Sequence, residues 1–541
     1  MGIVPRWAVV PALAVLASWC AVAASAAEHN AAHAALNTIT STELGHYVDV
    51  LASDAYEGRE AGSRGGRAAG DYIVQVLEDN DLQPAGEDGG YYQPFGEGYR
   101  NILGLIPGRD PELTREYIVI GGHYDHVGYG TAQNSFGPTG VIHNGADDNA
   151  SGTAGVLEVM QAFKSLPEPP RRSILFAFWD GEEKGLLGSK HWLAYPTVPF
   201  EGIVFAFNAD MIGRLRDNRV EVFGSRSADG LRKLVSQHNT DFGLQLDFMW
   251  HVHADGDHHP FFERDIPFLM LHTGTHDDYH RPSDDAERVD RDGMRSISQL
   301  MFRIAYALAE ADARPEYRAA ARYESIASRA QFERGMADAP PRLGVSWGAD
   351  ASAGGLTITR VTPGSAAERA GLRIGDRLLR FAGRAITNGD EFRLLVLAAP
   401  SNVEVVIQRR GEGEPLLVPL KLPGSPVRLG FSWDQDRAAS SMVMLTRVVP
   451  GSAAEQAGLA ALDRVYQVNG REFASGTEFG QLVTQAAGPV QLLVERQGVL
   501  QTVTIEPFDL FAASAEPAGG TPHTVARPID DVPRMANSGG L

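Results

Sequence analysis

Short apolar runs, each followed by acidic residues or a histidine, recur along the first part of the chain. The run Ile174–Trp179 is rich in aromatic residues and bounded by polar ones, which is typical of a buried parallel strand. Two adjacent carboxylates, Glu182 and Glu183, follow it after a turn. Because like charges at the mouth of an apolar core repel, the pair predicts a nearby cation, most simply a metal ion. A solvated acidic turn that opens a helix at Lys184–Leu193 is the alternative.

Two further apolar runs end in the same way. The run Glu116–Ile120 leads to His123 and Asp125, and the run Ile203–Phe207 leads to Asp210. The carboxyl ends of neighbouring parallel strands share one edge of a sheet, so we expect these polar side chains to converge there. A carboxylate two residues from a histidine is placed to orient an imidazole that binds metal.

The remaining candidates lie in loops between predicted helices and strands. The segment GADDNASG carries Asp147 and Asp148 ahead of a helix, a pattern that a helix cap alone also explains. His280 follows the strand-like run Pro267–Leu271, and six more histidines lie between residues 251 and 276. Most of these imidazoles are expected to be structural or exposed, since one site uses few of them. Amphipathic helices are expected at Thr42–Ala52, Gly66–Asn80, Ala154–Leu166 and Met294–Ala311.

The second part of the chain repeats itself. The segments VTPGSAAERAGLRIGDRL and VVPGSAAEQAGLAALDRV are close copies, which implies two copies of one structural unit. Each copy resembles a bacterial PDZ domain, a small, mainly-β fold whose Leu-Gly-apolar loop and sheet edge bind a peptide C-terminus. A packing module with an occluded groove is the alternative for either copy. The peptide-binding residues that the resemblance implies are Leu343, Gly344 and Val345 in the first copy, and Leu429, Gly430 and Phe431 in the second.

Composition and the N-terminus bear on partners and compartment. The 541-residue chain has a formal net charge of -20 and no basic tract, which argues against a nucleic-acid surface. Arg6, the apolar segment 7–22 and the sequence ASA at 24–26 predict a secretory signal peptide at 1–26. A membrane anchor is the alternative, but the segment is short for a span. Cleavage would remove Cys20, the only cysteine, and leave no transmembrane anchor. We therefore expect a secreted or bacterial periplasmic protein without disulfides.

Six segments carry a resemblance to a known family. LASDAYEGR, GHYDH, GADDNASG, DGEEKGLLGS, NADMIGR and YHRPSDD occur in this order between residues 40 and 312. They resemble the co-catalytic di-zinc aminopeptidases, a group that also includes glutamate carboxypeptidase and glutaminyl cyclase. The resemblance implies a zinc exopeptidase fold of the α/β class, in which helices flank a mixed, largely parallel central sheet.

The resemblance also implies a ligand set for two zinc ions per chain. His123 and Asp210 would hold one ion, Glu183 and His280 the other, and Asp148 would bridge them. Asp148 is preferred to Asp147 because of its spacing from the following Ser-Gly, and His280 to His276 because a Tyr-His pair with a downstream aspartate matches the family pattern. In the family the bridging aspartate begins a cis non-proline peptide bond.

The implied activity is aminopeptidase hydrolysis of peptides with free N-termini. Glu182 would act as general base, Asp125 would orient His123, and Tyr279 would stabilise the oxyanion. Three alternatives stay open: a glutaminyl cyclase, a carboxypeptidase that uses Arg214 or Arg281, and a secreted PDZ scaffold with an inactive peptidase domain. The predicted order is a signal peptide at 1–26, a peptidase domain at 38–312, a linker at 313–341, PDZ-like domains at 342–424 and 426–508, and a disordered tail at 512–541.

Overall fold

A computed structural model describes residues 30–335, 341–348, 354–486 and 488–507. The predicted signal peptide and the predicted tail lie outside these residues. The described residues fall into two compact units, one of residues 30–335 with 429–507 and one of residues 341–428. No helix in the described part of the chain combines the length and apolar character that a membrane crossing requires.

A nine-stranded mixed sheet is the centre of the first unit. Its strands are β1 (Gln83–Pro84), β2 (Tyr92–Phe95), β3 (Tyr99–Ile106), β4 (Tyr117–His123), β5 (Ser173–Trp179), β6 (Ile203–Ala209), β7 (Arg219–Phe223), β8 (Gln245–Phe248) and β9 (Phe268–His272). The order is β1-β3-β5-β4-β6-β9-β7-β8, and β2 pairs with β3. The central strands β5, β4, β6 and β9 are parallel, whereas β3 and β7 join them antiparallel. This confirms the predicted mixed sheet with a parallel centre.

Helices cover both faces of this sheet. They are α1 (Ser41–Leu51), α2 (Arg64–Asp79), α3 (Gly152–Lys164), α4 (Leu187–Ala194), α5 (Leu231–His238), α6 (His258–Glu263), α7 (Arg291–Glu310) and α8 (Ile326–Phe332). Thr40, Ser63 and Asp290 cap the long helices α1, α2 and α7 by accepting backbone N–H bonds. Helix α4 begins three residues later than predicted, because Leu186 adopts a left-handed φ of 61°.

The alternation of side chains along β5 divides the core into two layers. Ile174, Phe176 and Phe178 pack with residues of α1, α2, α3 and α7, whereas Leu175 and Trp179 pack with residues of α4 and α6. All seven residues of β5 are buried. A strand covered on both faces has a continuous apolar sequence, so only its carboxyl end is open to polar chemistry.

The two sequence repeats have the same antiparallel topology. The first consists of β10 (Val345–Trp347), β11 (Leu356–Val361), β12 (Arg377–Phe381), β13 (Arg384–Ala385), β14 (Asn402–Gln408) and β15 (Leu416–Lys421), with α9 (Ala366–Arg369) and α10 (Gly389–Ala398). The second consists of β16 (Phe431–Gln435), β17 (Val443–Val448), β18 (Arg464–Val468), β19 (Arg471–Glu472), β20 (Val490–Arg496) and β21 (Val499–Ile505), with α11 (Ala453–Gln456) and α12 (Gly476–Gln485). Their strand orders, β10-β11-β12-β14-β15 and β16-β17-β18-β20-β21, correspond strand by strand. The repeat seen in the sequence is therefore a repeat of structure.

Candidate metal centre

Polar side chains meet at the carboxyl ends of three adjacent strands, β5, β4 and β6. His123 is the last residue of β4, Asp210 directly follows β6, and Glu182 and Glu183 occupy the turn after β5. These are the side chains that the sequence places after apolar runs. The sheet order brings them to one edge because β4 lies between β5 and β6.

Asp148 stands between two groups of donor atoms. Its Oδ1 lies 3.4 Å from His123 Nε2, which is also 3.5 Å from Asp210 Oδ1. Its Oδ2 lies 3.0 Å from His280 Nε2, which is also 3.2 Å from Glu183 Oε2. One carboxylate therefore offers each of its oxygens to a different imidazole, which is the arrangement of a bridging ligand.

The tautomers of the two imidazoles indicate that these donors face a cation. His123 Nδ1 lies 3.1 Å from the backbone oxygen of Asp125, and His280 Nδ1 lies 2.9 Å from that of Asn134. A carbonyl oxygen only accepts, so each Nδ1 carries the proton, and in neutral imidazole Nε2 then presents a lone pair. Two donor atoms about 2.0–2.1 Å from one tetrahedral zinc ion are themselves about 3.3 Å apart, which matches the separations seen here.

The pKa values of His280 and Glu183 also indicate that the centre favours a positive charge. Burial lowers the pKa of His280, but hydrogen bonds with Asp148 and Glu183 raise it to about 10. Burial raises the pKa of Glu183, yet hydrogen bonds with His126 and His280 hold it below its ordinary value. The carboxylates thus stabilise a cation at this place, and a metal ion is the species for which two histidines and three carboxylates are suited.

The sequence was compared with models of protein families. Residues 101–305 match the model of peptidase family M28, and residues 357–409 and 444–496 match that of the PDZ domain. The chain carries an M28 peptidase domain followed by two PDZ domains. The M28 match contains all five residues that converge on the candidate metal centre.

The M28 domain and the repeats also resemble individual proteins. The chain is 25% identical over 229 residues to Aminopeptidase YwaD of Bacillus subtilis (strain 168), covering 40% of this chain and 46% of that protein. It is 31% identical over 193 residues to a probable periplasmic serine endoprotease DegP-like of Marinomonas sp. (strain MWYL1), covering 32% and 41%. The chain therefore spans less than half of the length of either relative. The structure of the LapA aminopeptidase of Legionella pneumophila aligns with a TM-score of 0.45 and 21% identity, covering 52% of this chain and 75% of that one.

Asp125 serves the centre differently from the prediction. Its carboxylate oxygens accept the backbone N–H groups of Glu182 at 3.0 Å and Glu183 at 3.4 Å. The hydrogen bond to His123 comes instead from the backbone oxygen of Asp125, while the nearest carboxylate oxygen is 3.7 Å from His123 Nδ1. Asp125 thus orients both the imidazole and the glutamate turn, the first with its main chain and the second with its side chain.

His126 lies at the candidate metal centre and was missed by the sequence interpretation. Its Nδ1 lies 2.8 Å from Glu183 Oε1, and the ring is buried. Because a carboxylate accepts, this nitrogen donates and leaves Glu183 Oε2 facing His280. The residue stands at the end of GHYDH, so its place next to a strand end was the available signal.

The residues that competed with Asp148 and His280 for ligand roles lie behind Asp148. Asp284 Oδ2 accepts the N–H groups of Asp147 at 3.0 Å and Asp148 at 3.1 Å. His276 Nδ1 accepts a backbone N–H, so its Nε2 carries the proton and faces Asp147 Oδ2 at 3.1 Å. The peptide bond Asp148-Asn149 is cis, as the resemblance implies. Asp147 and His276 therefore form a layer behind Asp148 and not part of the donor set.

The loop between β4 and Asp148, which contains Asn134 and Phe136, holds His280. Besides the Asn134 oxygen on Nδ1, the N–H of Phe136 bonds to the backbone oxygen of His280 at 3.1 Å. The Tyr279 ring stacks on the His280 ring with centroids 3.9 Å apart. Burial and the carboxylates of Asp148 and Glu183 raise the pKa of Tyr279, so its hydroxyl remains a donor. Phe136 is 64% exposed and gives this wall of the site an apolar surface.

Arg59, in the LASDAYEGR segment, fixes the loops around the centre. Its guanidinium donates to the backbone oxygens of Leu51, Tyr124, Asn144 and Gly145 at 2.6–2.9 Å. The side chain is buried, so these carbonyls replace water around a full charge. Arg59 thereby joins the loop after β4 to the loop that precedes Asp148.

The Leu-Gly-apolar loops of the PDZ domains are formed in both repeats. Leu343 and Leu429 are buried, and Gly344 and Gly430 have φ of 83° and 97°. A side chain at Gly344 would also collide with Ser365. In the first repeat a groove of about 440 Å³ lies beside this loop, between β10 and α10.

Proposed function

We propose that this protein is an aminopeptidase that hydrolyses the N-terminal residues of peptides at a centre for two zinc ions. The observation that carries the proposal is the placement of Asp148, whose two oxygens face the Nε2 atoms of His123 and His280. Asp210 completes one donor set and Glu183 the other. The likeness of the M28 domain to an aminopeptidase supports this choice of reaction.

The side chains around the donor sets have separate catalytic roles, which are proton transfer and stabilisation of the oxyanion. When bound, two zinc ions would lower the pKa of a water in the site and polarise the peptide carbonyl. Glu182 accepts a proton from the attacking water and returns it to the leaving amine. Burial, together with the carboxylates of Asp257 and Glu183, raises the pKa of Glu182 well above its usual value against the opposing effect of His123. A raised pKa suits a group that both takes and gives a proton near neutral pH. The Tyr279 hydroxyl donates to the developing oxyanion.

The charges of the site favour a free amine over a free carboxylate in the substrate. The carboxylate of Asp210 supplies negative charge for an α-ammonium group, since its pKa stays below the ordinary value despite burial. Arg214 donates to Asp278, and Arg281 donates to the backbone oxygen of Phe136 at 2.8 Å. Both arginines that a carboxypeptidase would use therefore already donate to other groups of the protein.

The test is hydrolysis of a panel of aminoacyl p-nitroanilides beside the same compounds with acetylated N-termini. We expect cleavage of the free-amine compounds only, its loss with a chelator, and its return with added zinc. Equal cleavage of the acetylated compounds would contradict the proposal.

Glu182→Gln is the matched variant for the same assay. It removes the base without removing a ligand, so kcat should fall by about 10²–10⁴-fold while the bound metal stays unchanged. Full activity in this variant would overturn the role of Glu182.

We further propose that the protein is exported and that the first PDZ domain binds protein C-termini. The N-terminal sequence and the likeness to a probable periplasmic protein support export. The groove beside Leu343, Gly344 and Val345 supports peptide binding. Cell fractionation and titration with C-terminal peptides, free and amidated, test the two statements separately.

A further inference from the structure

The second repeat, residues 429–507, packs on the M28 domain through buried ion pairs. Arg226, which follows β7, donates to both oxygens of Asp436 at 2.5 and 2.8 Å. The same guanidinium donates to both oxygens of Glu324 at 2.6 and 2.8 Å. Arg226 and Asp436 are 8% and 3% exposed. A buried bidentate pair of this kind fixes the orientation as well as the distance of the two elements.

A second buried pair joins the same two parts. Arg232 of α5 donates to both oxygens of Glu495 at 2.7 and 3.1 Å, and Glu495 is fully buried. In the first repeat the corresponding residue is Gln408, which carries no charge. The ionic attachment through β20 is therefore specific to the second repeat.

The turn between β20 and β21 covers the free edge of the central sheet. The N–H of Leu246 in β8 bonds to the backbone oxygen of Gln497 at 2.8 Å. Gly498 has φ of 77°, and a side chain there would collide with Leu246. The first repeat has a longer loop at this place, residues 409–415, between β14 and β15.

Arg226 also holds a side chain of the M28 domain itself. Its guanidinium lies 3.6 Å from the ring centroid of Trp250, and the same ring packs on Phe332 of α8 with centroids 5.7 Å apart. Trp250 is buried at the start of the loop 249–257, which joins β8 to α6. The loop has no regular secondary structure, so its position depends on side-chain contacts such as those of Trp250 rather than on a backbone ladder.

The other end of this loop lies against the metal centre. A methyl group added at Gly256 would be 3.5 Å from Asp210 Oδ2, so the loop backbone packs directly on that carboxylate. The next residue, Asp257, accepts a hydrogen bond from Ser189 of α4, and the ring of His258 bonds to the backbone oxygen of His253. Contacts thus lead from Asp436 through Arg226 to Trp250 at one end of the loop, and the other end of the same loop lies beside Asp210.

We propose that Arg226 is a positioning residue through which the second repeat holds loop 249–257 in place beside Asp210. The second repeat is then a structural part of the catalytic unit, whatever its groove binds. The catalytic consequence rests on the proposed function, whereas the effect on the loop does not.

The test compares two variants of the full-length protein. Asp436→Asn removes the charge that faces Arg226. The control, Glu495→Gln, removes the charge that faces Arg232. Among the described residues, Arg232 makes no hydrogen bond or ring contact with Trp250. Hydrogen–deuterium exchange is followed on peptides that cover residues 249–257. We expect exchange there to rise about tenfold in Asp436→Asn and to remain native in Glu495→Gln, since loss of a buried charged hydrogen bond has effects of this order. Equal exchange of this segment in both variants and in the native protein would overturn the proposal.

Arg226→Lys is a second, conservative variant. It keeps the charge for Asp436 but loses the planar group that stacks on Trp250, so it should also speed exchange of the loop. In the peptidase assay both Arg226→Lys and Asp436→Asn should lower kcat several-fold and leave KM within twofold, because the loop contacts a metal-site carboxylate. A raised KM with native kcat would contradict positioning through Asp210. If the native protein cleaves no peptide, the exchange measurements still decide the role of Arg226.

Discussion

Arg59 shows how one residue stabilises the architecture of a site without touching its chemistry. Its guanidinium satisfies four backbone carbonyls, which belong to the end of α1, the loop after β4 and the loop that precedes Asp148. A lysine at this position has one compact donor group and reaches fewer of them. We expect Arg59→Lys to lower the free energy of unfolding by about 2–4 kcal/mol, measured by denaturant titration.

The control is a neighbouring arginine on the surface. Arg64 has a side chain that is 81% exposed and pairs with Glu57. Arg64→Lys should leave the free energy of unfolding unchanged. An equal loss in both variants would mean that the carbonyl contacts of Arg59 add nothing to stability.

The sequence predicted which residues converge on the site, but not which other residues hold them in place. His123, Asp210 and the glutamate pair follow apolar strands, and such a position is visible in a sequence. The roles of His126 and of the loop around Asn134 depend on contacts between segments far apart in the chain. No periodicity reports such contacts, so these residues were found only in the structure.

Elements differ in how well their sequences predicted them. The long helices and the central strands were predicted within a few residues, because burial on one or two faces gives a clear pattern. The strands β7 and β8 and the helices α5 and α6 were missed. Their segments are short and mixed in polarity, and the outer edge of β8 is covered by the turn of a distant repeat at Gln497.

The attachment of β20 to α5 predicts a dependence of stability on pH. Burial raises the pKa of Glu495, but Arg232 and Arg464 lower it from 4.5 to about 2. A depressed carboxylate pKa contributes stability above the unfolded-state value, and this contribution disappears as pH falls through about 2. The contribution of Glu495 is about 3 kcal/mol at neutral pH, from 1.36 kcal/mol per pKa unit.

The measurement compares the unfolding of the native protein with that of Glu495→Gln across pH. The difference in free energy should be constant above about pH 5 and should shrink as pH falls towards 2. A difference that stays constant over this window would refute the depressed pKa of Glu495.

For the whole molecule, the two PDZ repeats are structurally alike but belong to different compact units. The second repeat shares a unit with the M28 domain, whereas residues 341–428 form the other. The sequence predicted two copies of one fold. It did not predict this division, because the residues that attach the second repeat, such as Asp436 and Glu495, look like ordinary surface charges in a linear pattern.

A matched pair of core substitutions tests whether the second repeat unfolds together with the M28 domain and the first repeat unfolds separately. Phe392 and Phe479 are fully buried and pack edge to face on Trp347 and Trp433, with centroids 5.2 and 5.0 Å apart. Each change to alanine should cost about 3–5 kcal/mol. By calorimetry and hydrogen exchange, Phe479→Ala should lower the transition of the M28 domain, and Phe392→Ala should lower only that of the first repeat. An unchanged M28 transition in Phe479→Ala would show that the second repeat unfolds independently.

A paired metal centre bridged by Asp148 predicts a definite number of bound ions. The measurement is zinc content per chain after equilibrium dialysis, for the native protein and for the variants Asp148→Ala and Asp210→Ala. We predict two ions in the native chain, one after loss of Asp210, and none after loss of the bridging carboxylate that both donor sets share. One ion in the native chain, or the same loss in both variants, would rule out a centre for two ions that share Asp148.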